Sequence, residues 1–252
     1  MDKEKVVDRI LGSFLPKDLT VTRAGIARLR QPVKRKMGTT VVALKFKDGV
    51  LIAADRRTSW GHKIMSDETV KVESVSVFTG VGCSGSVSDS QYVKSILERV
   101  NMAFALRAGV PLTIEGQANY VADLLHKYYL YGLPLSVEMI ICGLNFFGIF
   151  QIFEIWEDGC REERDYSAVG SGIFEALGVM EEYKKKISDS SLDLNDAVDV
   201  AVRAICKSGK WNSGVSPVQL VLPSVATVTV TGFNYVEDKA VELSRSRILS
   251  GG

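Results

Sequence analysis

The chain has 252 residues, of which 46% are hydrophobic, enough to bury one large core or two small ones. Its 31 basic and 30 acidic side chains leave a net charge of +1, so no strong field gathers nucleic acid or an anionic membrane surface. Four scattered cysteines without a CxxC pair and two histidines, His62 and His126, leave little room for zinc, disulfide-framework or Ser-His-Asp designs.

No stretch approaches the roughly 18 apolar residues of a membrane span. The opening MDKEKVVDRILGSFLPKD is too charged for a secretory signal. The expectation is a reduced, cytoplasmic protein.

Residues 1–38 differ from the rest. Val6, Ile10 and Phe14 fit one side of a short helix, which Gly12 and Pro16 interrupt. Five basic residues and a proline lie between Arg28 and Lys36, followed by Met37-Gly38. Such a stretch reads either as a solvated arm or as a disposable pro-segment on a protease-accessible linker. The body, residues 39–252, begins at Thr39. TTVVALKF and GVLIAAD are β-rich runs around Lys47-Asp48-Gly49 and predict a hairpin. Strands are expected at Val70–Val72 and Val77–Gly85. From Asp89 the period becomes helical, with Val93, Ile96, Leu97, Val100, Ala103 and Phe104 on one face until Gly109 and Pro111. A second helix carries Ile114, Ala118, Val121, Leu125 and Tyr128. Strands follow at Ser136–Cys142, Ile149–Trp156 and Tyr166–Val169, then helices at Ile173–Ile187 and Asp193–Cys206, with Asp193 as a cap. Strands at Val218–Leu222 and Val225–Val230 and a polar tail end the chain. This order predicts one α+β domain, two antiparallel sheets packed face to face with a helical layer outside each.

Taken singly, the candidate functional residues are weak. A threonine pair opening a strand reflects β-propensity, Asp55 ends a strand as a turn residue, and Lys71 alternates outward. Gly170-Ser171-Gly172 reads as a turn before a helix. Together they suggest a different chemistry. Cleavage between Gly38 and Thr39 would give Thr39 both a hydroxyl and a free α-amine, whose unperturbed pKa of about 8 suits a general base. No histidine is then needed. A lysine beside the nucleophile lowers the pKa of both groups, and a buried carboxylate keeps that lysine charged. Backbone N–H groups around Gly85 are candidates to receive an oxyanion.

The ordered run TTVVALKFKDGVLIAADRR, then VKV, FTGVGCSGSVSDSQ, AVGSG and AVRAI, resembles a proteasome β-type subunit across nearly all of residues 39–230. The resemblance implies a four-layer αββα sandwich of the N-terminal-nucleophile hydrolases and an autoprocessed Thr39 released from Gly38. It also implies Asp55 and Lys71 as the adjoining charge pair, Gly85 as oxyanion donor and Ser171 as partner of the amine. Thr58, Ser59, Thr69, Glu73, Cys83, Val87 and Gln91 would surround the substrate side chain, giving a medium apolar cavity to which Glu73 could admit a basic residue. No cofactor or metal is implied. The implied partners are identical or sister β subunits in a ring, proteasome α subunits, an ATP-dependent unfoldase ring and unfolded polypeptides. The simpler proteasome-like peptidase of bacteria shares the threonine pair and the lysine, but the Asp55-Arg56-Arg57 triplet and the long pro-segment fit the proteasome better.

One stretch departs from the family pattern. After AVRAI the family has Asp-Ser-x-Ser/Thr-Gly-Gly, whereas here Asn212 takes the aspartate position, Val215 the second hydroxyl position and Ser216-Pro217 the glycine pair. Asn212 can donate and accept hydrogen bonds but holds no charge. Two functions therefore stand side by side: a threonine endopeptidase using Thr39, or a weakly active or inactive structural subunit of the same ring.

Overall fold

A computed structural model describes residues 38–60 and 63–250; the helix expected on Val6, Ile10 and Phe14 lies outside them. The chain runs β1 (Thr40–Phe46), β2 (Gly49–Ala54), β3 (Thr58–Trp60), β4 (Lys63–Ser66), β5 (Val72–Ser76) and β6 (Thr79–Gly85). Helices α1 (Val87–Ala108) and α2 (Ile114–Leu130) follow, then β7 (Val137–Leu144), β8 (Phe150–Ile155), β9 (Arg161–Glu163) and β10 (Tyr166–Gly170). Helices α3 (Ile173–Glu181), α4 (Lys184–Ser188) and α5 (Leu194–Trp211) precede β11 (Ser224–Thr229), β12 (Gly232–Tyr235) and α6 (Asp238–Ser250).

One sheet has the order β10-β1-β2-β11-β12 and the other β5-β6-β7-β8-β9, with β3-β4 a separate hairpin. Every pairing is antiparallel. Strands β1 and β2 are buried on both faces, so TVVALKF and GVLIAA read as continuous apolar runs rather than alternating ones. The alternation survives in which layer each side chain enters. Val41, Ala43, Val50 and Ile52 face the second sheet and meet Ile140, Cys142 and Ile152. Val42, Leu44, Leu51 and Ala53 face outward onto Ala197, Ala201, Ala204 and Ile205 of α5. On the far side, Val81, Met139, Ile141 and Phe153 bury Val93 and Leu97 of α1 and Ile114, Val121 and Leu125 of α2. The result is the expected four-layer αββα sandwich.

Several expectations at the level of elements fail. Val218–Leu222 is not a strand: Leu220 and Val221 both donate to the Pro217 carbonyl, at 2.9 and 3.1 Å, in a turn. The polar tail instead holds β12 and α6. The helix expected over Ile173–Ile187 is broken between Glu181 and Lys184. The strand expected at Val70–Val72 starts only at Val72, and the β3-β4 hairpin, β4 being exposed along Lys63–Met65, was not anticipated.

The registers bring strand ends together. Thr40 pairs with Gly170 and Val41 with Ala54, so the start of β1 lies between the ends of β10 and β2. Spacing between the sheets depends on glycine where β6 crosses β1 and β2. A Cβ at Gly82 would stand 2.5 Å from Val41 Cγ1 and 3.1 Å from Ile52 Cδ1. Gly82→Ala should therefore cost about 1–3 kcal/mol by overpacking, read as a lowered midpoint in urea unfolding.

Candidate active site

Thr39 immediately precedes β1 and is 5% exposed. The chain is continuous through Gly38, so the Thr39 nitrogen is a peptide N–H; this donates to Ser171 Oγ at 3.1 Å, and Ser171 Oγ in turn donates to the Thr39 carbonyl at 3.3 Å. Thr39 Oγ1 donates to the Gly38 carbonyl oxygen at 2.6 Å and accepts from Lys71 Nζ at 3.0 Å. Lys71 Nζ also reaches Asp55 Oδ1 at 2.9 Å, and the Asp55 side chain has no solvent exposure. Burial lowers the Lys71 pKa below the usual lysine range, and the charge and hydrogen bond of Asp55 oppose that shift.

Asp55 is placed by the end of β2 and saturated by its neighbours. Its Oδ1 also accepts from Thr40 N at 2.9 Å. Its Oδ2 accepts from Arg57 N at 2.9 Å, from Ser216 N at 3.1 Å and from Ser216 Oγ at 3.4 Å. Ser171 follows β10 and is held from the opposite sheet, where Glu138 Oε2 accepts from Gly170 N at 2.9 Å. Gly172 must lack a side chain, since a Cβ there would stand 2.2 Å from Thr40 Oγ1. Gly85, at the end of β6, has φ +109°, and its Cβ would meet the Ser136 carbonyl oxygen at 2.1 Å. Only glycine suits that backbone.

A cleft of about 100 Å³ opens beside Thr39 and is lined by Gly38, Gly85 and Lys71. Thr58, Ser59, Thr69, Cys83 and Val87, named from the sequence, line it as well, and so do Glu73 and Gln91. Burial pushes the Cys83 thiol up to about 12, so it stays protonated. Within this lining Thr58 Oγ1 donates to Thr69 Oγ1 at 2.7 Å.

Asn212 is the one member of the sequence-derived catalytic set that does not join the others. It ends α5, and its Oδ1 accepts from Gly214 N at 3.0 Å, closing a turn over Ser213. Its link to Thr39 is indirect: Gly214 packs against Gly38 so closely that a Cβ at Gly38 would stand 1.9 Å from Gly214 Cα. The missing hydroxyl at Val215 also has an explanation. Val215 is buried in the apolar layer beneath the outer helices, and the hydroxyl bonded to Asp55 comes from Ser216. Sequence reasoning missed Ser216, and it missed Arg57 and Lys94. Arg57 forms a two-pronged ion pair with Asp67, at 2.8 and 3.1 Å, and donates to the Ser213 carbonyl at 3.0 Å. The Asp67 interaction raises the guanidinium pKa and lowers the carboxyl pKa. The Asp55-Arg56-Arg57 triplet was the available signal for Arg57; nothing local marked Ser216 or Lys94.

Among the described residues no group of three or more His, Cys, Asp or Glu side chains could hold a metal, and no helix is long and apolar enough to cross a membrane. Comparison with known proteins points one way. A family model described as proteasome subunit matches residues 35–220. The proteasome subunit beta 2 of Sulfurisphaera tokodaii is 36% identical over 178 residues, covering 69% of this chain and 81% of that protein. The proteasome subunit beta of Methanopyrus kandleri is 30% identical over 209 residues, covering 81% of this chain and 94% of that one. The chain belongs to the proteasome subunit family, as a β-type member.

Proposed function

We propose that this chain is a threonine endopeptidase of a proteasome core particle, made as a precursor and activated by cleavage between Gly38 and Thr39. The observation that carries this reading is Lys71 Nζ, buried and shared between Thr39 Oγ1 at 3.0 Å and Asp55 Oδ1 at 2.9 Å. A lysine so placed stabilises negative charge on the hydroxyl oxygen, and Asp55 keeps it protonated against the cost of burial.

In the processing step, Thr39 Oγ attacks the Gly38 carbonyl carbon. The Gly38–Thr39 C–N bond breaks, the nitrogen takes up the hydroxyl proton, and an ester links Gly38 to Oγ. Water hydrolyses that ester, releasing residues 1–38 as a carboxylate. The nitrogen that donated to Ser171 as an amide is then an amine beside the same hydroxyl. In turnover it accepts the Oγ proton, Oγ attacks a peptide carbonyl, and Gly85 N–H receives the oxyanion. The proton passes to the leaving amine, and water frees the acyl group. The Asp55–Lys71–Ser171 set favours this over a purely structural subunit, and Asn212 bears on it only through the Gly214 turn. The partners of this reading are sister β and α subunits in a closed particle, an ATP-driven unfoldase and unfolded polypeptides. Enclosure keeps a peptidase of low sequence selectivity away from folded proteins.

The test is the intact mass of the chain after co-expression with its α-type partner, followed by reaction with an electrophile selective for N-terminal threonine. The expected chain starts at Thr39 and carries one adduct, and Thr39→Ala abolishes both processing and labelling. A chain that keeps residues 1–38 in the assembled particle would sink the reading and leave the structural subunit. The electrostatics give a second expectation. Lys71 must be protonated to assist Oγ, so activity falls as pH rises through its pKa. Burial lowers that pKa and Asp55 raises it. Removing the carboxylate with Asp55→Asn should therefore move the alkaline limb of the labelling-rate profile to lower pH. It should also cost about 3–5 kcal/mol of stability, because Lys71 is left buried without its partner. An unmoved alkaline limb would show that another group sets it.

A further inference from the structure

Three cations line the cleft beside Thr39: Arg57, Lys71 and Lys94. Each has its own carboxylate. Arg57 is bound to Asp67, Lys71 to Asp55, and Lys94 Nζ donates to Glu73 Oε2. The first two pairs are committed elsewhere, to the Ser213 carbonyl and to the Thr39 hydroxyl. The third serves neither. Lys94 projects from α1 and Glu73 from β5, and their side chains, 19% and 42% exposed, meet inside the cleft. Both act electrostatically on the Cys83 thiol, which also lines the cleft and stays uncharged. Gly38, the acyl donor in processing, also borders this space, so it is the acyl side of a substrate bond that faces the pair.

We propose that the Glu73–Lys94 pair sets the cleavage preference: it cancels the charge of the acyl-side cleft, which therefore takes an uncharged, medium-sized residue and rejects both basic and acidic ones. This rests on the endopeptidase reading and goes beyond it by naming the substrate class. Glu73 alone would welcome an arginine or lysine. Paired with Lys94, it offers a guest cation only the exchange of one partner for another, while the guest gives up its hydration. The same holds with opposite sign for a guest carboxylate at Lys94. Of the uncharged lining residues, Val81, Cys83 and Val87 favour an apolar side chain, and Thr58, Thr69 and Gln91 add polar but neutral surface.

The experiment uses the assembled particle and fluorogenic peptides ending in leucine, arginine or glutamate before the scissile bond, with rates normalised to Thr39 adduct. The intact chain should cut after leucine about tenfold or more faster than after arginine or glutamate. Lys94→Met exposes Glu73 and should raise the arginine-to-leucine ratio of kcat/KM by about tenfold, the order expected for one uncompensated charge at close range. Glu73→Gln exposes Lys94 and should raise the glutamate-to-leucine ratio likewise. The double variant should return both ratios to those of the intact chain, which a merely structural role for the pair would not produce. Ratios that stay constant while all rates change together overturn the proposal, as does an intact particle cutting after arginine as fast as after leucine. A particle with no Thr39 adduct overturns the endopeptidase reading itself, a separate result.

Discussion

Asp55 is a wholly buried carboxylate surrounded by donors from four parts of the chain. It accepts from the β1 backbone at Thr40, from the chain just beyond β2 at Arg57, from Lys71 ahead of β5 and from Ser216 after α5. Burying an isolated charge is prohibitively costly, whereas a carboxylate with its lone pairs filled and a cation at 2.9 Å is tolerated. The arrangement is reciprocal. The donors need the strand ends in register, and the carboxylate makes any other register expensive. Thr39 inherits its position from this knot, because Thr40 N and Lys71 Nζ both bond Asp55 Oδ1 on either side of it.

The four-layer architecture supplies what the knot cannot. Thr39 and Asp55 flank strands β1 and β2 of the first sheet, while Gly85 closes a strand of the second. Their separation is fixed by the inter-sheet core, where glycine at position 82 lets Val41 and Ile52 approach β6. Gly170, next to Ser171, donates across the same gap to Glu138. In the proposed reaction Thr39, at the edge of one sheet, would face the Gly85 backbone of the other across a rigid apolar layer, the condition for donors that do not reorganise during reaction.

Much of this was legible in the sequence. The runs around Lys47-Asp48-Gly49 and the helical period of α1 and α2 follow from local patterning, and Thr39, Asp55, Lys71 and Gly85 are singled out by the family resemblance that the continuous segment carries. What escaped was determined elsewhere. VQLVL has strand composition, but Pro217 and Pro223 bracket it, and Leu220 is left 79% exposed in a turn. Helix α6 buries little beyond Val241 and Ser244, so its sequence reads as a polar tail. Lys184–Lys186 lie beyond the bend at Glu182–Tyr183 on a short separate helix, where they are exposed and Ile187 alone is buried. Ser216 lies 161 residues from the aspartate it bonds, and no local pattern carries a contact of that separation. Val215 stands at the hydroxyl position of the family pattern, yet the fold buries that valine in the core and the adjoining Ser216 donates to Asp55.

The joined Gly38–Thr39 bond also bears on how the site is prepared. Thr39 N already donates to Ser171 Oγ as an amide, and Thr39 Oγ1 already touches both Lys71 and the Gly38 carbonyl. In the proposed reaction the same atoms serve processing and turnover, with the nitrogen changing from donor-only amide to basic amine and no side chain required to move. Asn212 fits this economy. An aspartate at that position would add a negative charge next to a turn whose work, holding Gly214 against Gly38, needs only one accepted hydrogen bond from Gly214 N. A carboxamide oxygen accepts that bond as a carboxylate does. The loss of charge at residue 212 therefore leaves the turn geometry intact, and the electrostatic work near Thr39 rests on Asp55 and Lys71.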